Sequence, residues 1–399
     1  MPSYPPLLSV VVPTHNRSAY AISCIAAVLG MDSPELQLVM TDTSTDRLLY
    51  DMLHGGGYRF LEDPRLIYRK IDDPSSLTKN HNDAVALAQG EFVCVIGDDD
   101  CITRAALDAA RWALQNDVPV VSQSVTATYA WPDFQSRLAR GGHAARLYVP
   151  RRVAAPRWRE GAADLAAALG RAFQATDGMP RCYHGIVRRD LLEQIRARTG
   201  AYFHGSSPDM SGAVSLACLV DRYLEVDVPL TIPGVSGGSN SGRSAMNTHK
   251  GELSSETQTS GFERDGWEPG VPRFFAVETV WAHAGLASLR QLRADLIPAF
   301  NFARLLAICQ ARHPEYVAAV SGAAKEVRSL VSEAASMTEK RRERWTRLKY
   351  LMRRALKPTA ANGRRYFPHI DNVEQAAHTY EAHARAAGLA FRPPGSEAP

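Results

Sequence analysis

Three carboxylates directly follow an apolar run in the stretch Glu91-Phe92-Val93-Cys94-Val95-Ile96-Gly97-Asp98-Asp99-Asp100. The run at 91–96 has the composition of a buried strand. Acids at its carboxyl end are unusual because unpaired buried charge is costly. In an open α/β sheet, ligands bind at the carboxyl ends of the strands. Clustered Asp oxygens suit hard divalent cations, so residues 98–100 predict a site for Mg²⁺ or Mn²⁺. The alternative is a solvated turn that caps the helix starting near Thr103.

Strand and helix patterns alternate on the N-terminal side of this stretch and just beyond it. Apolar and β-branched runs predict strands at 7–12, 36–40, 65–71, 91–96 and 118–125, with helical patterns between them. Strands that alternate with helices predict a mostly parallel sheet flanked by helices. The predicted fold class is therefore α/β, with a Rossmann-like sheet and a helical C-terminal region.

The bulk composition describes a globular protein. The chain has 399 residues, a formal net charge of +4 and 45% hydrophobic residues. Its mild positive charge is compatible with anionic substrates and does not require nucleic acid. The six cysteines form no C-x-x-C pair, which predicts reduced thiols in a cytoplasmic protein. No targeting segment or apolar run of membrane-spanning length is present, so membrane contact is expected only from the surface.

Four motifs follow one another in the first hundred residues. They are residues 8–17 (LSVVVPTHNR), residues 39–46 (VMTDTSTD), residues 78–92 (TKNHNDAVALAQGEF) and the acidic run at 98–100. In this order and spacing they resemble the family 2 glycosyltransferases, which have the A-type fold of nucleotide-diphospho-sugar transferases. The resemblance extends over about 7–240 of this sequence.

The resemblance implies a division of the chain. Residues 1–125 correspond to the nucleotide-sugar-binding half, and residues 126–250 to the acceptor-binding half of the same catalytic domain. Residues 251–270 are predicted as a polar loop or lid, residues 271–390 as the helical C-terminal region, and residues 391–399 as a disordered tail.

The resemblance also assigns a donor site. Asp42 matches a position that accepts the base N–H of uracil, although it also suits a cap for the helix predicted near Thr45. The Asp-Asp pair common in the family is Thr41-Asp42 here. Asn82 matches an Asn that faces the nucleotide, with an ordinary polar helix residue as the alternative. The predicted donor-binding residues are Pro13, Thr14, Asn16, Asp42, Asn82, Asp98 and Asp99.

Metal binding is predicted for Asp100 and Asp99, with Mn²⁺ or Mg²⁺ bridging the diphosphate of the donor. The polar segment 236–270 is predicted to close over the donor as a lid. Within it, His249 is the most plausible additional metal ligand, although a lone histidine is more often structural.

An inverting sugar transfer also needs a base for the acceptor hydroxyl. Asp209 matches the catalytic Asp of the resembling enzymes, where Pro208 replaces the common Glu. The alternative is that Asp209 only caps the following helix. His184 is predicted to line the acceptor pocket, with a buried structural histidine as the alternative.

Residues 338–357 form a distinctive basic segment. They include nine Lys or Arg and two Glu, a net charge of +7. Trp345, Leu348, Met352 and Leu356 recur at helical spacing. One interpretation is a basic amphipathic helix that lies on anionic lipid. The other is a helix that packs through this apolar face and leaves its charges in water.

The sequence therefore predicts a metal-dependent, inverting glycosyltransferase that transfers one sugar from a nucleotide-diphosphate donor, with a UDP-sugar favoured. The acceptor is a hydroxyl of a glycan, a lipid-linked intermediate, a protein or a metabolite, and no nucleic acid partner is expected. The expected location is the cytoplasm, with peripheral membrane contact through 338–357, and the oligomeric state is left open. Two alternatives remain, a catalytically silent scaffold and a sugar-phosphate nucleotidyltransferase.

Overall fold

The computed structural model describes residues 5–72, 76–124, 126–136, 142–246, 248–356 and 364–395. The strands are β1 (Leu8–Thr14), β2 (Leu36–Asp42), β3 (Leu66–Lys70), β4 (Phe92–Val95), β5 (Cys101–Ile102), β6 (Val120–Gln123), β7 (Thr128–Ala130), β8 (Arg146–Val149), β9 (Arg157–Glu160), β10 (Gly185–Arg188), β11 (Arg222–Val226), β12 (Thr231–Ile232), β13 (Gly234–Val235), β14 (Lys250–Gly251), β15 (Phe275–Ala276) and β16 (Arg365–Pro368).

The α-helices alternate with these strands in the first half of the chain and predominate after residue 277. They are α1 (Ser18–Leu29), α2 (Leu48–His54), α3 (Leu77–Val85), α4 (Arg104–Gln115), α5 (Gly161–Gly170), α6 (Arg189–Thr199), α7 (Pro208–Ala217), α8 (Asn240–Ala245), α9 (Val277–Leu292), α10 (Phe302–Arg312), α11 (Val317–Glu326), α12 (Glu333–Leu356) and α13 (Val373–Ala387).

The central sheet has eight strands in the order β3-β2-β1-β4-β10-β6-β11-β9. All run in one direction except β10 and β9, which are antiparallel to their neighbours. The prediction of a mostly parallel sheet flanked by helices is confirmed. Thr14 lies beside Asp42 in the register of β1 and β2, and Val11 lies beside Val95 in that of β1 and β4. Residues 97–100 therefore emerge at the carboxyl edge of the sheet, next to the end of β1.

Side chains of the central strands alternate between two apolar cores, as expected for a sheet covered on both faces. On β1, Leu8, Val10 and Val12 join a core with α1, α4 and α13, whereas Val11 joins the opposite core with α3 and α6. Consecutive apolar residues in β1 thus reflect burial on both faces of the sheet.

A third core belongs to the helical part of the chain. It contains apolar side chains of α5, α7, α9, α10 and α11. Beyond α12, β16 pairs with β8 in a separate four-stranded sheet of order β13-β7-β8-β16, and α13 packs against α1, which flanks the central sheet. The domain boundaries predicted from the sequence stay predictions, and the end of the predicted disordered tail, residues 396–399, lies outside the described residues.

Helix α12 does not pack through its apolar side chains. Glu339 and Glu343 are buried against α10, whereas Trp345, Leu348 and Met352 are 62%, 47% and 57% exposed. The interpretation in which these apolar residues form the packed face is wrong, because the two carboxylates bind arginines of α10 instead. The side chain of Leu356 lies outside the described residues.

Within the described ranges, no helix combines the length and apolar character needed to cross a bilayer.

Candidate active site

A cavity of about 330 Å³ opens at the carboxyl edge of the central sheet. Its walls come from the ends of β1 and β2, the first turns of α3, the acidic run after β4, the segment before β10 and residues 233–241. Pro13, Thr14 and residues 98–100 line it, so these residues lie together at the predicted edge, while their donor-binding and metal-binding roles stay predictions.

Arg17 joins the first two carboxylates of the acidic run. Its Nε donates to Asp98 Oδ1 at 2.7 Å, and its Nη2 lies 2.8 Å from Asp99 Oδ2. Thr14 Oγ1 donates to Asp98 Oδ2 at 2.5 Å, and Ser236 Oγ donates to Asp99 Oδ2 at 2.6 Å. These bonds hold together the end of β1, the loop after β4 and the segment after β13.

Asp100 is held by backbone amides. The N–H groups of Gly97 and Gly234 donate to its two carboxylate oxygens, each at 2.6 Å. His184 Nε2 lies 3.5 Å from Asp100 Oδ2, and His184 Nδ1 lies 2.9 Å from Thr231 Oγ1. Burial lowers the pKa of His184 to about 3, so the imidazole beside Asp100 is neutral at physiological pH.

Negative charge is in excess in this cavity. Burial raises the pKa of Asp98 to about 6, although the charge of Arg17 opposes this shift. Burial and the neighbouring charge of Asp99 raise the pKa of Asp100 well above its usual range. Among the described residues that line the cavity, Arg17 is the only Arg or Lys. The cavity therefore holds three carboxylates and one guanidinium, which pairs with only two of them, and further positive charge would stabilise their ionised form.

Helix α3 presents Asn80 to the cavity. Asn80 Nδ2 donates to the carbonyl of Thr14 and to Thr43 Oγ1, both at 3.2 Å, while Thr41 Oγ1 donates to Asn80 Oδ1 at 2.6 Å. Asn80 thus links α3 to the ends of β1 and β2, where the acidic run also lies.

Asn82 lies on another side of α3 and does not line this cavity. Its Oδ1 accepts from the N–H groups of Tyr202 and Phe203 at 2.8 and 3.0 Å, and its Nδ2 donates to the carbonyls of Thr78 and Phe203. Positions two apart on a helix differ by about 200° in direction. The donor-binding role predicted for Asn82 does not match this position, because its amide anchors the chain at 202–203.

Asp42 and Asn16 also lie outside the walls of the cavity. Asp42 is fully buried, where Oδ1 accepts from Ser44 N and Oδ2 accepts from the Tyr68 hydroxyl, both at 2.8 Å. Asn16 Oδ1 accepts from Thr45 N at 2.8 Å. Neither the predicted base contact of Asp42 nor its alternative as a helix cap fits this arrangement, since its bonds support the turn after β2 and the neighbouring strand β3.

A second cavity, of about 530 Å³, adjoins the first and is lined by Asp209. The two cavities share part of their walls, which comprises Leu77, His81, Tyr183, Asn240 and Ser241. The acidic run and Asp209 therefore occupy neighbouring spaces with a common boundary.

Asp209 lies in the first turn of α7, after Pro208 at the start of the helix. Its Oδ1 accepts from Ser207 Oγ and, at 2.8 Å, from Met210 N. Burial raises the pKa of Asp209. The carboxylate thus takes one of the free N–H groups of the helix terminus, as in the capping alternative, and also lines the cavity.

The two histidines singled out in the sequence lie in different cavities from those expected. His184 lines the first cavity, beside Asp100 and not beside Asp209. His249 lines the second cavity, with Nδ1 3.0 Å from Ser244 Oγ and its ring against Phe275. His249 is therefore not brought to the acidic run, because the short pairing of β14 with β15 holds it near α9.

Asp99 and Asp100 fit a divalent cation by the chemistry of their oxygen donors and by the excess of buried negative charge. In the described part of the chain, no three His, Cys, Asp or Glu side chains already converge as a metal cage. Mg²⁺ typically takes one or two carboxylates and completes its coordination with phosphates and water. Residues 99–100 can supply that number.

The sequence analysis did not identify the cavity residues Arg17 and Asn80, or Ser236, which donates to the cavity residue Asp99. Arg17 stands at the end of the first motif, so its position after β1 was a usable indication. Asn80 shares a helix face with Leu77 and Ala84, which identifies the side of α3 that meets the sheet. The contact of Ser236 with Asp99 spans 137 residues and has no local pattern.

Comparisons with known proteins found one matching family model and several similar proteins. Residues 9–174 match the family model described as "Glycosyl transferase family 2". Solved structures of TarS from S. aureus are similar at low sequence identity. The structure described as TarS 1–349 in complex with UDP-GlcNAc has a TM-score of 0.42 and 15% identity, over 94% of this chain and 92% of that one.

Two curated proteins match shorter segments. The "Putative colanic acid biosynthesis glycosyl transferase WcaA" of Escherichia coli (strain K12) is 36% identical over 98 residues, which is 24% of this chain and 33% of that protein. The "Uncharacterized protein MT1568" of Mycobacterium tuberculosis (strain CDC 1551 / Oshkosh) is 26% identical over 106 residues, 26% of this chain and 30% of that protein. The matches thus span about a third of these relatives. The family match covers residues 9–174, which include the acidic run, and so makes this part of the chain similar to glycosyltransferase family 2.

Proposed function

We propose that the protein is a metal-dependent, inverting glycosyltransferase that transfers one sugar from a nucleotide-diphosphate donor to an acceptor hydroxyl. The observation that carries this proposal is the pair of adjoining cavities. One contains residues 98–100, and the other contains Asp209. A donor in the first cavity and an acceptor in the second meet at their shared wall, which is the arrangement that an in-line displacement requires.

The first cavity is assigned to the donor. Asp99 and Asp100 are the residues that would hold Mn²⁺ or Mg²⁺, with Asp98 kept in place by Thr14 and Arg17. When bound, the cation neutralises the diphosphate and stabilises it as a leaving group. Arg17 orients the first two carboxylates and keeps part of their charge compensated before the donor arrives.

Asp209 is assigned as the general base. Both bonds described above go to its Oδ1, so Oδ2 is the oxygen that we assign to the acceptor proton. The raised pKa of Asp209 brings this carboxyl closer to the working pH, which strengthens it as a base. As the hydroxyl oxygen attacks the anomeric carbon, its proton passes to Asp209 and the bond to the diphosphate breaks on the opposite face.

A UDP-sugar is the donor that we propose, and its support is the similarity of residues 9–174 to glycosyltransferase family 2. Asp42 does not contribute to this choice because its carboxylate bonds Ser44 and Tyr68. The acceptor that we propose is a glycan hydroxyl or a lipid-linked intermediate in polysaccharide biosynthesis, which the relative named for colanic acid biosynthesis supports. The six free cysteines support a reducing compartment such as the cytoplasm.

A thermal-shift panel of nucleoside diphosphates with and without Mn²⁺ tests the donor site. A ligand that binds only the folded state raises the melting temperature. At a ligand concentration of one hundred times Kd, it adds about 2.7 kcal/mol to the free energy of unfolding. We expect UDP and Mn²⁺ to stabilise the protein together, and Asp99→Ala to abolish this effect. The matched control is Asp32→Ala, which changes an exposed carboxylate.

Product analysis then separates the enzyme classes. Released nucleoside diphosphate supports sugar transfer, whereas pyrophosphate release indicates a nucleotidyltransferase. A shift with GDP or dTDP alone contradicts the choice of uridine. No shift with any nucleotide contradicts the donor site and favours a catalytically silent scaffold.

A further inference from the structure

Helix α12 exposes the side chains that a packed helix normally buries. Glu339 and Glu343 are 8% and 3% exposed, whereas Trp345 and Met352 are 62% and 57% exposed. Leu348 and Leu351 are also about half exposed, at 47% and 55%. The helix is therefore attached to the protein by its acidic residues.

The attachment is an ion-pair network with α10. Arg304 lies 2.8 Å from Glu343 and 3.6 Å from Glu339, and Arg312 lies 3.1 Å from Glu343. Asn301 Nδ2 donates to Glu339 at 3.1 Å. These bonds fix the rotation of α12 about its axis and so decide which face points outward.

The outward face is apolar along a single stripe. Successive residues of an α-helix are about 100° apart, so 345, 348 and 352 fall within an arc of about 60°. Residues 339 and 343 lie on the opposite side by the same count. The stripe thus points away from α10.

Positive charge surrounds this stripe. Up to residue 352, where the described side chains of α12 end, its cations are Lys340, Arg341, Arg342, Arg344, Arg347 and Lys349. Arg342 lies 3.5 Å from Glu339, and both acids between residues 338 and 352, Glu339 and Glu343, are turned toward α10. The exposed surface of the helix is consequently basic as well as apolar.

We propose that α12 docks on a lipid bilayer that contains anionic lipids. The apolar stripe enters the boundary between headgroups and acyl chains, and the long Lys and Arg side chains reach back to the lipid phosphates. A second copy of the same face is disfavoured because its charges repel. Nucleic acid is disfavoured because it offers no hydrocarbon to a stripe of Trp, Leu and Met. This docking does not depend on the proposed sugar transfer.

Co-sedimentation of the full chain with vesicles tests the proposal. We expect binding to phosphatidylglycerol-containing vesicles and little binding to phosphatidylcholine alone. Replacing Arg341, Arg344 and Arg347 by Gln preserves helix propensity. Each Lys or Arg near an anionic surface strengthens partitioning by about fivefold, so the loss of all three should weaken it by about a hundredfold. Replacing Trp345, Leu348 and Met352 by Ser should weaken it by about tenfold or more.

A matched control changes exposed apolar residues elsewhere, Leu48, Leu114 and Trp158, to Ser, and should leave partitioning unchanged. Far-UV circular dichroism and melting curves verify folding of each variant. Equal partitioning of the two α12 variants and the unmodified protein overturns the proposal. The proposal is also overturned if the protein does not bind vesicles and instead dimerises through α12, which light scattering would measure and the Ser variant would reverse. Binding of RNA without binding of vesicles overturns it as well.

Discussion

Buried carboxylates occur in two regions of this protein, and the two regions compensate their charge differently. At the edge of the sheet, residues 98–100 and Asp209 line two cavities whose described walls include one Arg or Lys, Arg17. In the helical region, three Glu residues of α9 and α12 face three basic residues, and the members of this network are Glu278, Glu339, Glu343, Arg304, Arg312 and His313.

The pKa values show the consequence of this difference. Burial raises the pKa of Asp98 to about 6 despite Arg17. Burial also acts to raise the pKa of Glu278, but His313 and Arg312 outweigh it and lower the value to about 2. In the helical network each carboxylate is paired with a basic side chain of the protein, whereas the cavity carboxylates need charge from a ligand. We therefore expect substitutions in the cavities to reduce activity, and substitutions in the network to reduce stability.

The largest effect is expected for Asp209→Asn in the second cavity. Loss of a general base typically slows a reaction by about 10²–10⁴-fold, while the amide keeps the size of the side chain. Nucleotide release under saturating donor and acceptor measures the rate, and thermal unfolding measures stability. A large loss of unfolding free energy in this variant would contradict the expectation that cavity substitutions mainly reduce activity. An equally slow reaction in the exposed Asp32→Asn control would contradict it too.

A stability loss of about 3 kcal/mol is expected for Glu343→Gln in the network, because it leaves Arg304 and Arg312 without their shared carboxylate. Denaturant unfolding measures the free energy of unfolding. The control Glu333→Gln changes an exposed residue in the first turn of the same helix and should cost at most about 0.5 kcal/mol. Equal unfolding free energies in the two variants would show that the network does not stabilise the helical region.

A smaller, pH-dependent effect is expected at Glu278. Its folded-state pKa of about 2 lies below its ordinary value of 4.5, so its ionised form stabilises the fold above pH 4.5. This stabilisation is lost as the pH falls from 4.5 through about 2. The free-energy difference between the unmodified protein and Glu278→Gln should therefore be largest near neutral pH and narrow in acid. A difference that stays constant from pH 7 to pH 3 contradicts the assigned pairing with His313.

Local patterns predicted most of the framework. Apolar runs predicted β1, β2, β4 and β6 to within a few residues, and the C-terminal region was expected to be helical, where α9 to α13 lie. The acidic run was expected at the carboxyl edge of the sheet, where it lies. These features depend on neighbouring residues and on the general geometry of parallel sheets, so they can be predicted from the sequence.

Side-chain assignments were less predictable, because each depends on a partner far away in the chain. Asn80 and Asn82 are equally polar, and only the packing of α3 on the sheet decides that Asn80 faces the cavity. Asp42 accepts a hydrogen bond from the hydroxyl of Tyr68 on the neighbouring strand β3. His184 and His249 exchange their expected surroundings because strand pairing, not sequence position, brings each to a cavity.

By itself, the sequence determined the α/β framework, the acidic run after β4 and the resemblance to family 2 glycosyltransferases, since each follows from local periodicity or from motifs in order. Tertiary structure alone decided that Arg17 compensates the acidic run, that Asp209 lines the adjoining cavity, and that α12 turns its apolar stripe outward. The physical reason is that charge pairing and burial act between side chains that meet only after the chain has folded.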